Sequence, residues 1–309
     1  MNVLVVGGNG FIGSHLVDLL LKNGHQVRVF DAINERFRKP LEHVDYRIAS
    51  LENIPDLYES LLGIDVVFHL ASTSVPSTSN IDPVSDIQTN LIPTLNILNM
   101  AVKLGIKRII FFSSGGAVYG NPLTKTVNEE HPLNPISSYG IVKATIEMYM
   151  SLYQRIYNIK PLILRPSNPY GPRQGHYIAH GVISTFLRKV LKNESLTILG
   201  DGNARKDYIY IDDLIDICYQ LSFSDETGIY NVGTGQGTSI NEITDKIKTI
   251  TESDTGIVKL QKQIYDVDTF VLDVSKTTNL IGKYAYTSLD EGIKKTWQWM
   301  KASEKSNKN

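Results

Sequence analysis

A glycine-rich turn near the start of the chain narrows the possible folds sharply. A short apolar run at residues 3–6 leads directly into the glycines of residues 7–13, and an amphipathic pattern continues over residues 11–22. Glycines at this spacing allow a tight turn, let backbone N–H groups approach a pyrophosphate, and let the helix pack closely against the strand. The sequence therefore predicts a strand, a turn and a helix whose N-terminus faces the phosphates of a dinucleotide.

Apolar and amphipathic segments alternate through the first half of the chain. We predict strands at residues 3–6, 27–31, 44–48, 65–71, 108–112 and 160–164, and helices at residues 11–22, 84–104 and 137–157. Strands that alternate with helices are typical of parallel sheets. The predicted fold class is α/β, a Rossmann doubly wound parallel sheet.

The second predicted strand ends at Asp31, about twenty residues beyond the glycines. A carboxylate there can accept hydrogen bonds from both ribose hydroxyls and repels a 2′-phosphate, which favours NAD over NADP. Arg36 and Arg38 lie nearby and weaken this preference. We expect these two arginines to be solvated loop charges.

The character of the sequence changes after Arg165. Residues 166–172 are rich in proline, which predicts a turn-rich segment without a strand interior. The shorter elements beyond it predict a smaller α/β lobe. We expect an NAD-binding domain at residues 1–166 and a substrate-binding lobe at residues 167–309, with the chain crossing back to the first domain around residues 207–233.

The composition narrows the possible partners. A formal charge of −1 gives no electrostatic reason to expect nucleic acid or an anionic membrane. The single cysteine, Cys218, lies in an apolar run and is predicted to be a buried hydrophobic residue. No apolar run approaches the roughly 18 residues of a membrane span, and the early first strand leaves no room for a signal peptide. We therefore expect a cytoplasmic protein.

Tyr139 and Lys143 are the first candidates for catalysis. They lie four residues apart in a predicted helix, so both side chains can point into one cavity. An ammonium and a cationic ring nearby could lower the pKa of the phenol from about 10 and make it a base. The pair alone is a weak signal because this spacing is common. Ser113 and Ser114 follow a central strand and indicate a site there, whereas His69 is predicted to be a core histidine.

Together these motifs resemble the extended short-chain dehydrogenase/reductase family and, within it, the NAD-dependent nucleotide-sugar epimerases and dehydratases of UDP-glucose 4-epimerase type. The matching motifs span nearly the whole chain: the glycine turn, Asp31, residues 69–71, Asn90, residues 113–120, the Tyr139 and Lys143 pair, residues 168–172 and residues 207–213. The resemblance implies a 4-epimerase that works by transient oxidation at the sugar 4-position. It also implies a nucleotide-diphosphate sugar as substrate, no metal, and a homodimer.

By this resemblance Tyr139 is the catalytic base, Lys143 binds the nicotinamide ribose and lowers the pKa of Tyr139, and a serine binds the reacting hydroxyl. Counting forward from the preceding strand selects Ser114, whereas counting back from Tyr119 selects Gly115, which has no side chain; we predict Ser114. The implied cofactor-binding residues are Gly7, Gly10, Phe11, Ile12, Gly13, Asp31, Ser50, Leu51, Leu70, Ala71, Ser72, Asn90, Ser113, Tyr139, Lys143 and Pro166. The implied substrate-binding residues are Ser74, Ser114, Tyr139, Asn168, Arg205, Lys206, Gln263 and Phe270.

The chain departs from the family pattern where the substrate diphosphate is expected. The family usually has an arginine directly before the position of Asp207, where this chain has Lys206 after Arg205, and Gln263 replaces a second arginine. Lysine contacts phosphate as a point charge without the bidentate fork of arginine. Phe270 falls at the position of a size gate that would favour glucose and galactose over N-acetylhexosamines, with an ordinary core residue as the alternative.

Other reactions of the family are alternatives to epimerisation. The 4,6-dehydratases and nucleotide-sugar decarboxylases of the family carry acidic residues where this chain has Gly116 and Ala117, which disfavours both. A 4-ketoreductase would consume free NADH. A dinucleotide-sensing protein without turnover is the non-enzyme alternative, because a fold alone does not establish a function.

Overall fold

A computed structural model describes residues 1–76, 78–174, 181–261 and 269–307. In these residues the strands, in chain order, are β1 Asn2–Val6, β2 Gln26–Asp31, β3 Val44–Ile48, β4 Val66–His69, β5 Arg108–Phe112, β6 Thr126–Val127, β7 Lys160–Pro166, β8 Asn168–Tyr170, β9 Leu196–Leu199, β10 Arg205–Tyr210, β11 Gly228–Val232, β12 Gly237–Ser239, β13 Ile257–Leu260 and β14 Thr269–Leu272. The helices are α1 Phe11–Lys22, α2 Ile54–Leu61, α3 Pro83–Asp86, α4 Ile92–Leu104, α5 Gly115–Tyr119, α6 Ser138–Tyr157, α7 Val182–Leu191, α8 Ile211–Ser222, α9 Ile240–Thr251, α10 Ser275–Ile281 and α11 Leu289–Asn307. A π-helical turn, Ile87–Leu91, joins α3 to α4.

The chain divides into two compact units. The first comprises residues 1–120, 129–166 and 215–232, and the second comprises residues 121–128, 167–214 and 233–309. The boundary between the units is therefore close to residue 166, with two exceptions. Residues 121–128 belong to the second unit and residues 215–232 belong to the first. Every helix in the described part of the chain is too short or too polar to cross a membrane.

The first unit contains a seven-stranded sheet in the order β11-β7-β5-β4-β1-β2-β3. Each neighbouring pair is parallel, so all carboxyl ends of the strands lie at one edge. The central strands are buried runs of apolar residues, as parallel strands covered on both faces require. This sheet confirms the predicted Rossmann fold. The strand order reverses between β1 and β4, which is where such sheets bind ligands.

The helix α6 packs on this sheet through a stripe of apolar side chains. Val142, Ile146 and Met150 recur every four residues, and all three belong to the main hydrophobic core together with Ile97 of α4. Burying each such side chain stabilises the protein by about 1.5–3 kcal/mol. The packing thereby fixes the face of α6 on which the polar residues between them lie.

The segment at residues 84–104 is not the single α-helix that its pattern predicts. It consists of α3, the π-helical turn and α4, with Asn90 inside the turn and Pro93 near the start of α4. Proline has no N–H to donate to the carbonyl four residues earlier, so the regular helical ladder cannot pass through it. The extra residue of the π-turn accommodates this gap, and such turns are frequent at functional sites.

The second unit contains a smaller sheet in the order β12-β10-β14-β6, with β8 beside β10, and a separate β13–β9 pair. The prediction that residues 166–172 contain no strand is wrong. β7 extends through Pro166, and β8 pairs with β10 so that Asn168 lies opposite Tyr208. Pro169 is tolerated because β8 is a short strand at a sheet edge, where a missing N–H costs little.

Candidate active site

The glycine turn after β1 forms a cradle that side chains would fill. Gly7 has φ +86°, and a Cβ atom there would lie 2.7 Å from the backbone N of Ala71. A Cβ atom on Gly13 would lie 2.2 Å from the carbonyl oxygen of Gly7. The helix α1 begins at Phe11 with Gly10 as its N-cap, without a side-chain cap and without an acidic residue in its first turn. Its first N–H groups are therefore available to an anion, and the cradle fits the pyrophosphate of NAD.

Asp31 ends β2 beside this cradle. Its Oδ2 accepts a hydrogen bond from the N–H of Asn9 at 2.9 Å, and its Oδ1 accepts one from the N–H of Ile33 at 3.2 Å. Burial raises the pKa of the Asp31 carboxyl, and these backbone hydrogen bonds oppose the rise. The carboxylate is thus held in one orientation at the position where a ribose is expected.

The two arginines that follow Asp31 make more side-chain contacts than the sequence predicted. Arg38 forms ion pairs with Asp18 and with Glu35, and only 22% of its side chain is exposed. The guanidinium of Arg36 lies 5.5 Å from the centre of the Phe37 ring. The prediction that both are solvated loop charges is wrong for Arg38, which therefore already has two carboxylate partners.

The remaining predicted cofactor residues lie at the carboxyl ends of the strands of the first unit. The N–H groups of Leu70 and Ala71, just after β4, donate to the carbonyl of Val6 at 2.9 and 3.0 Å. Pro166 ends β7. The other residues follow strands or lie in the π-turn: Ser50 and Leu51 after β3, Ser72 after β4, Ser113 after β5, and Asn90 in the π-turn. The parallel sheet thus brings residues far apart in sequence to one edge.

Tyr139 lies in the first turn of α6, and its hydroxyl is hydrogen-bonded to Ser114, the residue that precedes α5. Burial raises the pKa of Tyr139 to about 12; the hydrogen bond with Ser114 lowers it, and the charge of Asp86 raises it further. The lowering of this pKa by Lys143 together with a cationic ring stays a prediction. Desolvation of the phenolate is the largest of the effects that shift this pKa.

Lys143 lies one turn after Tyr139 and is 4% exposed. Its Nζ donates a hydrogen bond to the carbonyl of Phe112 at 2.8 Å and lies 5.6 Å from the centre of the Tyr139 ring. Burial lowers the pKa of Lys143 to about 8, although the carboxylates of Glu147 and Asp86 raise it. The structure therefore brings the predicted pair together in a dry site.

A buried ion pair lies one further turn along α6. Nη2 of Arg165 is 2.5 Å from Oε2 of Glu147, and its Nε lies 3.1 and 3.2 Å from the two carboxylate oxygens. The hydroxyl of Ser113 also donates to Glu147, whereas that of the neighbouring Ser114 bonds to Tyr139. The two adjacent serines thus have different partners.

Sequence reasoning missed two buried carboxylates near the pair, Asp86 and Glu147. A signal for them exists in the spacing. Glu147 follows Lys143 by four residues and Asp86 precedes Asn90 by four, so each shares a helix face with a residue that the motifs single out.

The two residues predicted to be core residues are confirmed as such. His69 is 2% exposed, its Nε2 lies 2.8 Å from the hydroxyl of Thr94, and burial lowers its pKa to about 3. The thiol of Cys218 is fully buried, and burial raises its pKa.

In the second unit, a cavity of about 180 Å³ is lined by polar and apolar residues that include Asn168, Gln174, Ile183, Lys206 and Tyr208. Two of these, Asn168 and Lys206, are predicted substrate residues. The amide of Asn168 donates to the carbonyl of Asp207 at 2.8 Å. The helix α7 begins at this cavity without a side-chain cap, so its N-terminal N–H groups and Lys206 make the cavity attractive to an anion.

Arg205 is not brought to this cavity. Neighbouring residues of a strand point to opposite faces, and the guanidinium of Arg205 instead donates to the carbonyl of Gly237 at 2.7 Å and pairs with Glu242 at 3.1 Å. Phe270 is 2% exposed in β14, which favours the alternative of an ordinary core residue.

Two predicted substrate residues remain. In the first unit, the hydroxyl of Ser74 donates to Asp86 at 2.6 Å. Gln263 lies outside the described residues.

The model of the NAD dependent epimerase/dehydratase family matches residues 3–233 of this chain. The chain belongs to this family. Over 308 residues it is 39% identical to a protein of Methanocaldococcus jannaschii named "Putative UDP-glucose 4-epimerase", covering 98% of this chain and 100% of that protein.

Two crystal structures are similar over nearly the whole length. The UDP-glucose 4-epimerase of Thermotoga maritima with UDP-glucose has a TM-score of 0.93 at 35% identity, covering 98% of this chain and 100% of that chain. The UDP-glucose 4-epimerase of Thermus thermophilus in complex with NAD has a TM-score of 0.91 at 32% identity, with the same coverage. Membership confirms the predicted family, the Rossmann fold and dependence on NAD, and the relatives favour the predicted epimerase over its sister reactions.

Proposed function

We propose that this protein is an NAD-dependent 4-epimerase that interconverts UDP-glucose and UDP-galactose. The observation that carries the proposal is the hydrogen-bonded Ser114 and Tyr139 pair with Lys143 one turn away, at the sheet edge where the glycine cradle lies. The similar proteins named UDP-glucose 4-epimerase support this choice of substrate.

The residues of the first unit would hold NAD along the sheet edge. The N–H groups at the start of α1 would bind the pyrophosphate, Asp31 the adenosine ribose, and Lys143 the nicotinamide ribose. Bound NAD would accept a hydride from the 4-position of the sugar and return it to the opposite face.

Tyr139 would take the proton of the 4-hydroxyl, and Ser114 would hold that hydroxyl within reach of the phenol. Because burial raises the pKa of Tyr139 to about 12, the phenol needs added positive charge to act as a base near neutral pH. The ammonium of Lys143 and the oxidised nicotinamide are the groups that would supply it.

The start of α5 argues against the sister reactions. Ser114 precedes this short helix, and Gly116 and Ala117 are its second and third residues. Dehydratases and decarboxylases of this type have acidic residues at these two positions. Dehydration needs an extra acid and base to remove water across two carbons. The epimerase needs only the pair and the serine.

The second unit would bind the nucleotide end of the substrate. Lys206 and the uncapped start of α7 line the same cavity, and both attract a diphosphate. The hydrogen-bonded amide of Asn168 would add a polar contact of fixed orientation.

A homodimer is supported by the surface of α6. Ile141, Met148, Leu152 and Ile156 are 54%, 63%, 44% and 59% exposed and lie on one face of the helix. An apolar stripe of this kind marks a contact surface, and Ile92 of α4 is similarly exposed. The mass of the protein in solution, measured by sedimentation equilibrium, tests this proposal, while a cytoplasmic location stays a prediction.

The direct test of the proposed function is turnover of UDP-glucose, with products followed by NMR. We expect wild-type protein to reach a mixture with UDP-galactose without net consumption of added NADH. Tyr139→Phe should lower kcat by about 10²–10⁴-fold, because it removes the acid–base group.

Tyr157→Phe, at the exposed end of the same helix, is the matched control and should keep full activity. NAD released by denaturation should be present in both variants. Wild-type protein that converts no UDP-sugar, or a Tyr139→Phe variant as active as the control, would contradict the proposal.

A further inference from the structure

Asp86 is a buried carboxylate whose hydrogen-bond donors are all neutral. It is 3% exposed. Its Oδ1 accepts hydrogen bonds from Ser74 Oγ at 2.6 Å and Asn90 Nδ2 at 2.8 Å, and its Oδ2 accepts one from Ser138 Oγ at 2.7 Å. None of the ion pairs found in the described part of the chain involves Asp86. A buried charge without a paired cation is costly, so its presence needs a reason.

The segment around Asp86 caps the start of α6. Ser138 is the first residue of α6, and its N–H donates to Asn80 Oδ1 at 2.8 Å while its hydroxyl donates to Asp86. The N–H of Tyr139 donates to Ser79 Oγ at 3.1 Å. These bonds satisfy donors that a helix start leaves without partners. They tie the backbone at Ser138 and Tyr139 to the segment that carries Asp86.

The charge of Asp86 also acts on the catalytic pair. It raises the pKa of both Lys143 and Tyr139. The other carboxylate that acts on Lys143 is Glu147, which is paired with Arg165. Asp86 is therefore the nearby carboxylate that such a pair does not neutralise.

Groups from five elements lie around Lys143. These groups are Tyr139 and Glu147 on α6, Asp86 on α3, the neutral His69 on β4, the Phe111 ring at 4.5 Å and the Phe112 carbonyl at 2.8 Å on β5, and Arg165 on β7. Burial lowers the pKa of the Lys143 ammonium, and the carboxylates of Glu147 and Asp86 oppose this fall. Because Glu147 is already paired with Arg165, Asp86 is the one of the two without an ion-pair partner in the described part of the chain.

We propose that Asp86 is a positioning residue of the catalytic pair: its carboxylate fixes the first turn of α6 and balances the buried charge of Lys143. This role rests on the proposed function, in which Tyr139 and Lys143 carry the chemistry. It goes beyond that function because Asp86 contacts neither the sugar nor the cofactor in it.

The test replaces the charge while keeping the size, with Asp86→Asn. Without the carboxylate the ammonium is less stabilised, so the pKa of Lys143 falls. The phenolate is also less repelled, so the pKa of Tyr139 falls as well. Both limbs of the pH profile of kcat should therefore move to lower pH by roughly one unit, whichever group governs each limb.

A readout independent of turnover is the ¹³Cε resonance of Lys143 in protein labelled with ¹³C-lysine, assigned by its absence in Lys143→Arg. We expect its titration midpoint, near pH 8 in wild-type protein, to fall in Asp86→Asn. This readout separates the proposed role of Asp86 from the proposed function. Wild-type protein without epimerase activity would contradict the proposed function, whereas the titration of Lys143 would still decide the role of Asp86.

Two further variants separate charge from structure. Ser138→Ala removes one hydrogen bond but keeps the charge of Asp86. Both limbs of the pH profile and the titration midpoint of Lys143 should therefore stay at their wild-type values. This variant tests the proposal even where Asp86→Asn does not fold. Asp213→Asn removes a carboxylate that is 6% exposed and bonded to Thr287 in the second unit, and it should leave the limbs unmoved. Unmoved limbs and midpoint in Asp86→Asn, or an equal shift in Ser138→Ala, would overturn the proposal.

Discussion

The two units hold the same kind of ion pair in opposite surroundings. In the first unit, Arg165 and Glu147 are 2% and 3% exposed, with their closest atoms 2.5 Å apart. In the second unit, the side chains of Arg205 and Glu242 are 46% and 47% exposed, with their closest atoms 3.1 Å apart. Both are arginine–glutamate pairs, so the main difference between them is burial.

Burial decides how independent each charge is. Removing one member of a buried pair leaves the other charge without water and without a partner, whereas removing one member of an exposed pair leaves the other solvated. The charges around Lys143 therefore cannot be altered singly without a large penalty. The exposed charged residues of β10 can be replaced without this penalty. We therefore expect residues of β10 to set the substrate preference.

Arg165→Met should give the largest effect on stability. It leaves the Glu147 carboxylate buried and unpaired, so the free energy of unfolding should fall by about 3–5 kcal/mol. Urea denaturation followed by circular dichroism measures this change.

The control for Arg165→Met is the double variant Arg165→Met/Glu147→Leu. It removes both charges and should recover most of the lost stability, because no isolated charge remains. A single variant that loses less than about 1 kcal/mol would contradict the view that this pair is fully desolvated.

Lys206→Met should give an intermediate effect, on binding and not on folding. A hydrogen bond to a charged group contributes about 1.5–3 kcal/mol, so KM for UDP-glucose should rise roughly ten- to hundredfold with little change in kcat. Lys259→Met, on strand β13 of the same unit, is the matched control and should keep the wild-type KM. An unchanged KM in Lys206→Met would show that the cavity beside Lys206 does not receive the diphosphate.

The contrast between the units also explains how much the sequence could predict. The glycine turn, the helix at residues 11–22 and the strand at residues 108–112 follow from local patterns, and the structure has them at those bounds. The relation of Tyr139 to Lys143 follows from helical spacing alone. These features depend on neighbours in the chain, so their pattern is visible in the sequence.

The features that the sequence did not predict depend on distant contacts. The edge strand β8 exists because β10 pairs with it, although its own proline, Pro169, and the prolines on either side of it suggest a turn. The raised pKa of Tyr139 comes mainly from desolvation by the assembled core, which no spacing reveals. The hydrogen bonds that hold the Asp86 carboxylate likewise come from Ser74 and Ser138, which approach it from other segments.

Arg205→Met should give the smallest effect and completes the comparison with Arg165→Met. It makes the same substitution in a pair that is half exposed, so the free energy of unfolding should change by no more than about 1 kcal/mol. Because Arg205 points away from the cavity that Lys206 lines, KM for UDP-glucose should also stay at its wild-type value.

Measuring Arg205→Met and Lys206→Met side by side decides which face of β10 meets the substrate. The two residues are adjacent, carry the same charge and lie on opposite faces of one strand, so general electrostatic attraction would weaken equally in both variants. A rise in KM confined to Lys206→Met would therefore reflect a direct contact. An equal rise in both would instead indicate general electrostatic attraction and would contradict a direct contact of Lys206 with the diphosphate.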